Sequence, residues 1–225
     1  MRVATDPTIP ANGGCYRPIA FTAPEGSIVA ATAPAAVAAG NVETSQRIAD
    51  VLLGALAQAN PQQVAAASQG TMNNVLVGND SFAYYETVGG GQGGWAGGSG
   101  ESGIHTGMTN TKNTPVESLS QHYPFRITGY GLRRGSAGQG QNPGGDGIVR
   151  QLQFLEPATL TLMGERRIKQ PWGLAGGKPG AKGQDWLVRA SGAKELLPGK
   201  VTIEVKPGES LIVHTPGGGG WGQPV

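Results

Sequence analysis

Between Tyr84 and Thr111 the chain reads YYETVGGGQGGWAGGSGESGIHTGMTNT, and nine of the fifteen residues from Gly89 to Gly103 are glycine. Glycine has no Cβ, so it weakens helices and strands while allowing positive φ and close approach of the backbone to a ligand or another chain. The segment therefore reads as an irregular loop. It opens after a strand-like run ending in Glu86 and Thr87 and empties into His105, Thr106, Asn110 and Thr111. One acid/base group and several hydrogen-bonding side chains are thus concentrated in a short stretch. Loops on a rigid scaffold often carry function, and many surface loops carry none, so both readings stand at this point.

Glycine and proline dominate elsewhere too, with 39 Gly and 16 Pro among 225 residues and an apolar fraction of 38%. That Gly and Pro share, about a quarter, borders on low complexity, yet apolar runs recur from end to end. An ordered, loop-rich protein of one substantial domain or two small ones is expected. Seventeen basic and fifteen acidic residues leave a net charge of +2, and the basic ones occur as scattered doublets, Arg133-Arg134 and Arg166-Arg167. Nucleic-acid binding is not supported by that pattern. Cys15 is alone, which excludes an intramolecular disulfide framework and a Cys-rich zinc site. No run of about 18 apolar residues occurs to cross a membrane, and the first residues lack the apolar stretch of a signal peptide. A cytoplasmic protein in a reducing compartment is expected.

Periodicity places the elements. RPIAFTAPEGSIV, Arg17 to Val29, suggests two short strands around a Pro24-Glu25-Gly26 turn. Asn41 is positioned to cap a helix running to about Ala59, because Ile48, Val51, Leu52, Ala55 and Leu56 recur at helical spacing before Asn60-Pro61. Asn74–Val77 and Phe82–Val88 flank a four-residue turn, a β-hairpin pattern. Thr114-Pro115-Val116-Glu117 matches a capping box and predicts a short helix to about Gln121. Strand-like runs follow at Phe125–Arg133, Ile148–Leu155, Ala158–Met163, Trp186–Arg189, Val201–Val205 and Leu211–His214. The fold class expected is α+β and β-rich: one long helix packed on sheet in the first half, and barrel- or sandwich-like antiparallel β in the second. The division falls between 1–123, which holds the hairpin, helix and glycine loop, and 124–225, with the two forming one structural unit.

Several motifs are weighed against plainer explanations. GQGGWA, Gly91 to Ala96, matches G-x-G-x-x-A, but Gly97-Gly98-Ser99-Gly100 follows where a dinucleotide site needs a helix N-terminus. GGKP at Gly176 lacks the spacing of a phosphate-binding Walker loop, so ATP, if used, binds another chain. His105, His122 and His214 lie too far apart in sequence to build a metal site from this chain alone. Cys15 reads as an inert thiol in preference to a nucleophile. Glu86, within YYET, is the carboxylate candidate, because an inward-pointing strand Glu beside aromatics suits proton transfer.

Read in order, NGGCYRPI, PEGSIV, GNVETSQRIADVLLGAL, SQGTMNN, YYETVGGGQGG, HTGMTNT, TPVE, LRRGSAGQG, GGDGIVR, ERR, PWGLAGG and TPGGGGWG span almost the whole chain. In these motifs it resembles the hydantoinase B/oxoprolinase family, specifically the C-terminal half of its members. The resemblance implies part of an ATP-dependent machine that opens cyclic amides such as hydantoin, 5-oxoproline or related lactams. A hydantoinase A-type partner subunit would bind ATP and activate a carbonyl by phosphorylation. The family's N-terminal half, with its NDPY…GGTHxxD segment supplying His and Asp ligands to a divalent metal, has no counterpart in this sequence, so the chain is either a fragment or separately made portion of a larger subunit, or a shortened relative that needs a second polypeptide to complete the site.

Under that resemblance no cofactor is expected on this chain alone, and an oligomer is expected. His105 is placed as acid/base or metal-adjacent group and Glu86 as supporting base. Asn73, Asn74, Thr106, Asn110 and Thr111 would donate hydrogen bonds to substrate or oxyanion, and Gly89, Gly90 and Gly91 would bring backbone N–H groups close to it. Two other readings stay open: a noncatalytic scaffold or oligomerisation portion of such a complex, and part of a related ATP-dependent ketone carboxylase.

Overall fold

A computed structural model describes residues 5, 6 and 8–224. The hairpin forms as its alternation requires: β1 (Asn74–Gly78) pairs antiparallel with β2 (Ala83–Glu86) in the register Val75 to Glu86 and Val77 to Tyr84. Its loop is closed by the Asn79 N–H donating to the Phe82 carbonyl and by the Asn79 side chain accepting from the Ser81 N–H. Completing this sheet are β5 (Ala158–Met163), beside β1, and β8 (Lys200–Val205) at the far edge, so it mixes strands from both halves of the chain.

The second sheet has the order β3 (Phe125–Arg133), β4 (Gly147–Phe154), β9 (Ser210–His214), β6 (Gln184–Val188), β7 (Lys194–Leu197), all antiparallel. A two-residue period turns Ile148, Leu152 and Phe154 of β4 inward. They join Val75, Val77, Leu160 and Leu162 of the first sheet and Leu187, Leu211 and Val213 of the second in one core. The sandwich expected of the second half therefore draws strands from both halves of the chain, two sheets face to face with no closed barrel.

Beside the sandwich the glycine segments form an ordered body of their own, in place of the irregular loop expected. At its centre runs Gly217–Trp221. The amides of Gly217 and Gly220 donate to Ala181 and Lys178, those of Gly218 and Trp221 to Gly145 and Asn142, and that of Gly219 to Ala67. Successive donors face three neighbouring segments in rotation, the three-residue repeat of a polyproline II helix. It is not a strand, because its bonds do not run in pairs along one partner. Glycine is required by distance here: a Cβ on Gly217, Gly218, Gly219 or Gly220 would fall on the carbonyls of Ser136, Gln92, Trp172 or Gln139.

The long helix, α1 (Ser45–Ala59), ends at Asn60-Pro61 as expected but starts differently. A π-helical turn, Gly40–Thr44, precedes it, and Asn41 provides no cap; its carbonyl instead accepts from the Ser45 hydroxyl. Ile48, Val51 and Leu52 face outward, and Gln46, Asp50 and Ala57 are buried. Polar partners explain this inversion. Asp50 meets Arg47 and Arg166, the Gln46 amide oxygen accepts from the Met108 N–H, and Gly54 lies against Trp172. Helix α2 (Val116–His122) lacks the expected capping box: Pro115 occupies the cap position and no side chain caps the helix. The strands expected within Arg17 to Val29 do not form; the Pro24–Gly26 turn does, and Phe21 and Ile28 remain exposed with no strand alongside. Strand β7 has no counterpart among the expected strands, because KELL sets two charged residues before two leucines and shows no alternation.

Candidate functional site

The β1–β2 register turns Glu86 and Tyr84 into the space between the sheets. There the Tyr84 hydroxyl donates to one Glu86 oxygen at 3.0 Å and Arg150 Nε donates to the other at 2.7 Å. Arg150 is fully buried, in the same inward row of β4 as Ile148 and Leu152. Tyr130 is directly opposite it on β3, with its ring 4.9 Å from the guanidinium carbon. Both terminal nitrogens of Arg150 lack a hydrogen-bond partner. A buried cation with two unused forks is an anion-stabilising group.

From Glu86 the polar groups continue toward the histidine. The Tyr84 phenol, pushed up to about 12 first by burial and then by the Glu86 carboxylate, touches the Thr114 side chain. Next to Thr114 in the chain, Asn113 adjoins the His105 ring. His105 is delivered here by backbone pairing between Gly90 and Ile104, whose amides exchange hydrogen bonds at 2.9 Å. Burial lowers the His105 pKa and Asn113 works against the shift, yet neither ring nitrogen nor the Asn113 amide nitrogen completes a hydrogen bond. The Thr87 and Thr106 hydroxyls are also buried without partners. Arg150, Glu86 and Tyr84 thus form one hydrogen-bonded chain, and Thr114, Asn113 and His105 continue the path as neighbouring polar groups whose hydrogen bonds stay open. Buried polar groups are nearly always paired, so a concentration of unpaired ones marks a place built to receive something.

The other sequence candidates are placed differently. Asn73, with φ of 48°, donates to Gln69 and to the Val88 carbonyl and accepts from Arg167, so its side chain is committed within the chain. Asn74 neighbours Val75, the residue paired with Glu86, and therefore points to the opposite face of the sheet. There it donates to Glu43 and to the Met163 carbonyl and accepts from the Tyr85 hydroxyl. Burial raises the Glu43 pKa, and the same carboxylate oxygen takes bonds from Thr71 and the Met72 N–H. The Gly90 and Gly91 amides already donate to Ile104 and Pro216, while Gly89 packs against the Ile104 carbonyl. Thr106 begins a turn closed by Thr109, and Asn110 and Thr111 are exposed beyond it. Among the described residues no three His, Cys, Asp or Glu side chains converge to hold a metal.

Sequence reasoning passed over Arg150, Tyr84 and Asn113. For Arg150 the signal was present, because IVRQLQFL alternates and puts the arginine in the apolar row.

A family model described as hydantoinase B/oxoprolinase matches residues 1–224. The chain belongs to the hydantoinase B/oxoprolinase family. Among its relatives, 5-oxoprolinase 1 of Arabidopsis thaliana is 42% identical over the whole chain, which spans 17% of that protein. A protein of Pseudomonas sp. named as one subunit of a putative D-/L-hydantoinase is 32% identical over 96% of the chain and 37% of its own length. The crystal structure of the ATP-dependent caprolactamase from Pseudomonas jessenii superposes on 75% of the chain and 32% of its own with a TM-score of 0.63 at 25% identity. The chain therefore spans well under half the length of these family members. No helix among the described residues is long and apolar enough to cross a membrane.

Proposed function

We propose that this chain forms part of the reacting cleft of a B-type subunit in an ATP-dependent, cytoplasmic hydrolase that opens cyclic amides such as hydantoin, 5-oxoproline or related lactams. The observation that carries the reading is the path from His105 to Arg150, where unpaired buried polar atoms collect in a chain whose relatives are named as a 5-oxoprolinase and as one subunit of a D-/L-hydantoinase. A hydantoinase A-type subunit supplies the phosphoryl group that activates the amide carbonyl oxygen. Within this chain, burial lowers the basicity of His105, so a neutral ring nitrogen takes the proton of an attacking water and returns it to the ring nitrogen of the substrate as the C–N bond breaks. The acyl phosphate left behind is cleaved by a second water to the free carboxylate and inorganic phosphate. Arg150 balances the negative charge that develops, in the role first assigned to the Gly89–Gly91 amides. Glu86 holds Arg150 in place and is itself held by Tyr84. Because the donor set here does not gather a metal, no step is assigned to one; a divalent ion belongs to the family's N-terminal half in this scheme.

The outward row of Ile48, Val51 and Leu52 favours a second reading, a noncatalytic scaffold or oligomerisation portion of the same complex. ATP-dependent hydrolysis of hydantoin and 5-oxoproline separates the two. The chain is mixed with an A-type partner and the N-terminal half of a full-length B-type subunit, and each component is omitted in turn. Turnover that needs this chain and falls with His105→Ala supports the proposal, full turnover with His105→Ala favours the scaffold, and turnover undiminished by omitting the chain overturns both.

A further inference from the structure

Beside α1, the loop after β5 gathers positive charge. Arg47, Arg166, Arg167, Lys169 and Lys200 line a cleft of about 560 Å3 together with Glu165. Two of the five are neutralised: Arg167 makes a bidentate pair with Asp185 at 2.9 and 2.8 Å, and Lys200 pairs with Glu165. The rest are not. Asp50 is shared by the guanidiniums of Arg47 and Arg166, two cations on one carboxylate. Lys169 is exposed and, among the described residues, has no ion-pair partner.

A second, independent observation concerns Arg166 itself. It is 94% buried, since only 6% of its surface is exposed, and its Nε has no hydrogen-bond partner. Its φ of 62° is left-handed, a conformation that non-glycine residues hold only where surrounding structure imposes it. Gly70, at φ of 64°, makes the arrangement possible: a Cβ there would come 2.9 Å from Arg166 Nε and 3.0 Å from Arg47 Nη1. The backbone has been cleared to bring two guanidiniums side by side, at the electrostatic cost of their mutual repulsion.

We propose that this cleft binds a phosphate group. Arg47 and Arg166 hold the Gly70 and Gln170 carbonyls and share Asp50, which leaves each guanidinium with further hydrogens; together with Lys169 they carry an excess of positive charge that suits a phosphate better than a carboxylate. None of these side chains belongs to the His105 path, and the site does not depend on the reaction proposed there. The phosphate is either free or carried on a nucleotide.

Calorimetric titration of the intact chain with inorganic phosphate, with ADP and with acetate tests this. Saturable one-site binding of phosphate is expected, with acetate at least about tenfold weaker. Lys169→Ala, at an exposed side chain with no ion pair among the described residues, should weaken phosphate at least about tenfold while the thermal melt stays unchanged. ADP that competes with phosphate marks a nucleotide-borne group; ADP that does not compete marks the free ion, and either supports the site. No saturable phosphate binding, acetate binding as tightly, or unchanged affinity in Lys169→Ala overturns it.

Discussion

Glu86 and Arg150 are joined across the two sheets by a 2.7 Å contact between Oε1 and Nε, on side chains only 5% and 0% exposed. The pair ties β2 to β4 through the middle of the sandwich. Glu86→Ala leaves the guanidinium buried without a counter-charge and should cost about 3–5 kcal/mol in urea unfolding. Replacing both together, Glu86→Leu with Arg150→Met, removes the stranded charge and should recover most of that loss. A single-substitution cost below about 1 kcal/mol, the range of exposed pairs, would show that the bridge is solvated.

The glycine body makes a sharper demand. In Gly218→Ala the new methyl would overlap the Gln92 carbonyl, a backbone atom that no rotamer change can move. Destabilisation at or above the roughly 1–3 kcal/mol of core overpacking is expected from thermal melts. Gly131→Ala in β3, where a Cβ meets nothing within 4 Å, is the control. It should shift stability by less than about 1 kcal/mol, and in the favourable direction. Equal effects at both positions would mean that the bundle tolerates side chains.

This body was the part of the fold least legible from the residues. The hairpin and β4 announce themselves through alternation within a few positions, and the helix end through Asn60-Pro61. Gly217–Trp221 bonds instead to segments around positions 67, 142–145 and 178–181, and no local pattern encodes which of these will arrive. Helix α1 misled for a related reason. Its apolar spacing is genuine, but Asp50 finds a buried partner in Arg166 and Gln46 takes the Met108 N–H, and those specific bonds decide which face turns inward. At the site, His105 and Glu86 stood out by residue type, whereas Asn74 looked equivalent to its neighbours until strand parity sent it to the other face.

Acid should weaken the fold through its histidines. Burial holds both His105 and His214 below the usual imidazole pKa of 6.5, with Arg133 and Lys194 adding to the effect at His214. The unfolded chain then binds protons before the folded one does, so stability rises with pH in that window. The contribution is complete above the unfolded value and is lost as pH falls toward the lowered folded value. Urea midpoints should therefore drop between about pH 7.5 and about pH 5, and less steeply in His105→Gln. An identical slope in His105→Gln would show that His105 titrates as though exposed.

The most direct measurement is turnover of 5-oxoproline or hydantoin by the complete assembly, with ATP, carrying His105→Ala in this chain. A positioned acid/base group contributes about 10²–10⁴-fold, and kcat is predicted to fall by that factor while the thermal melt remains that of the unaltered protein. Full turnover with His105→Ala would contradict the account.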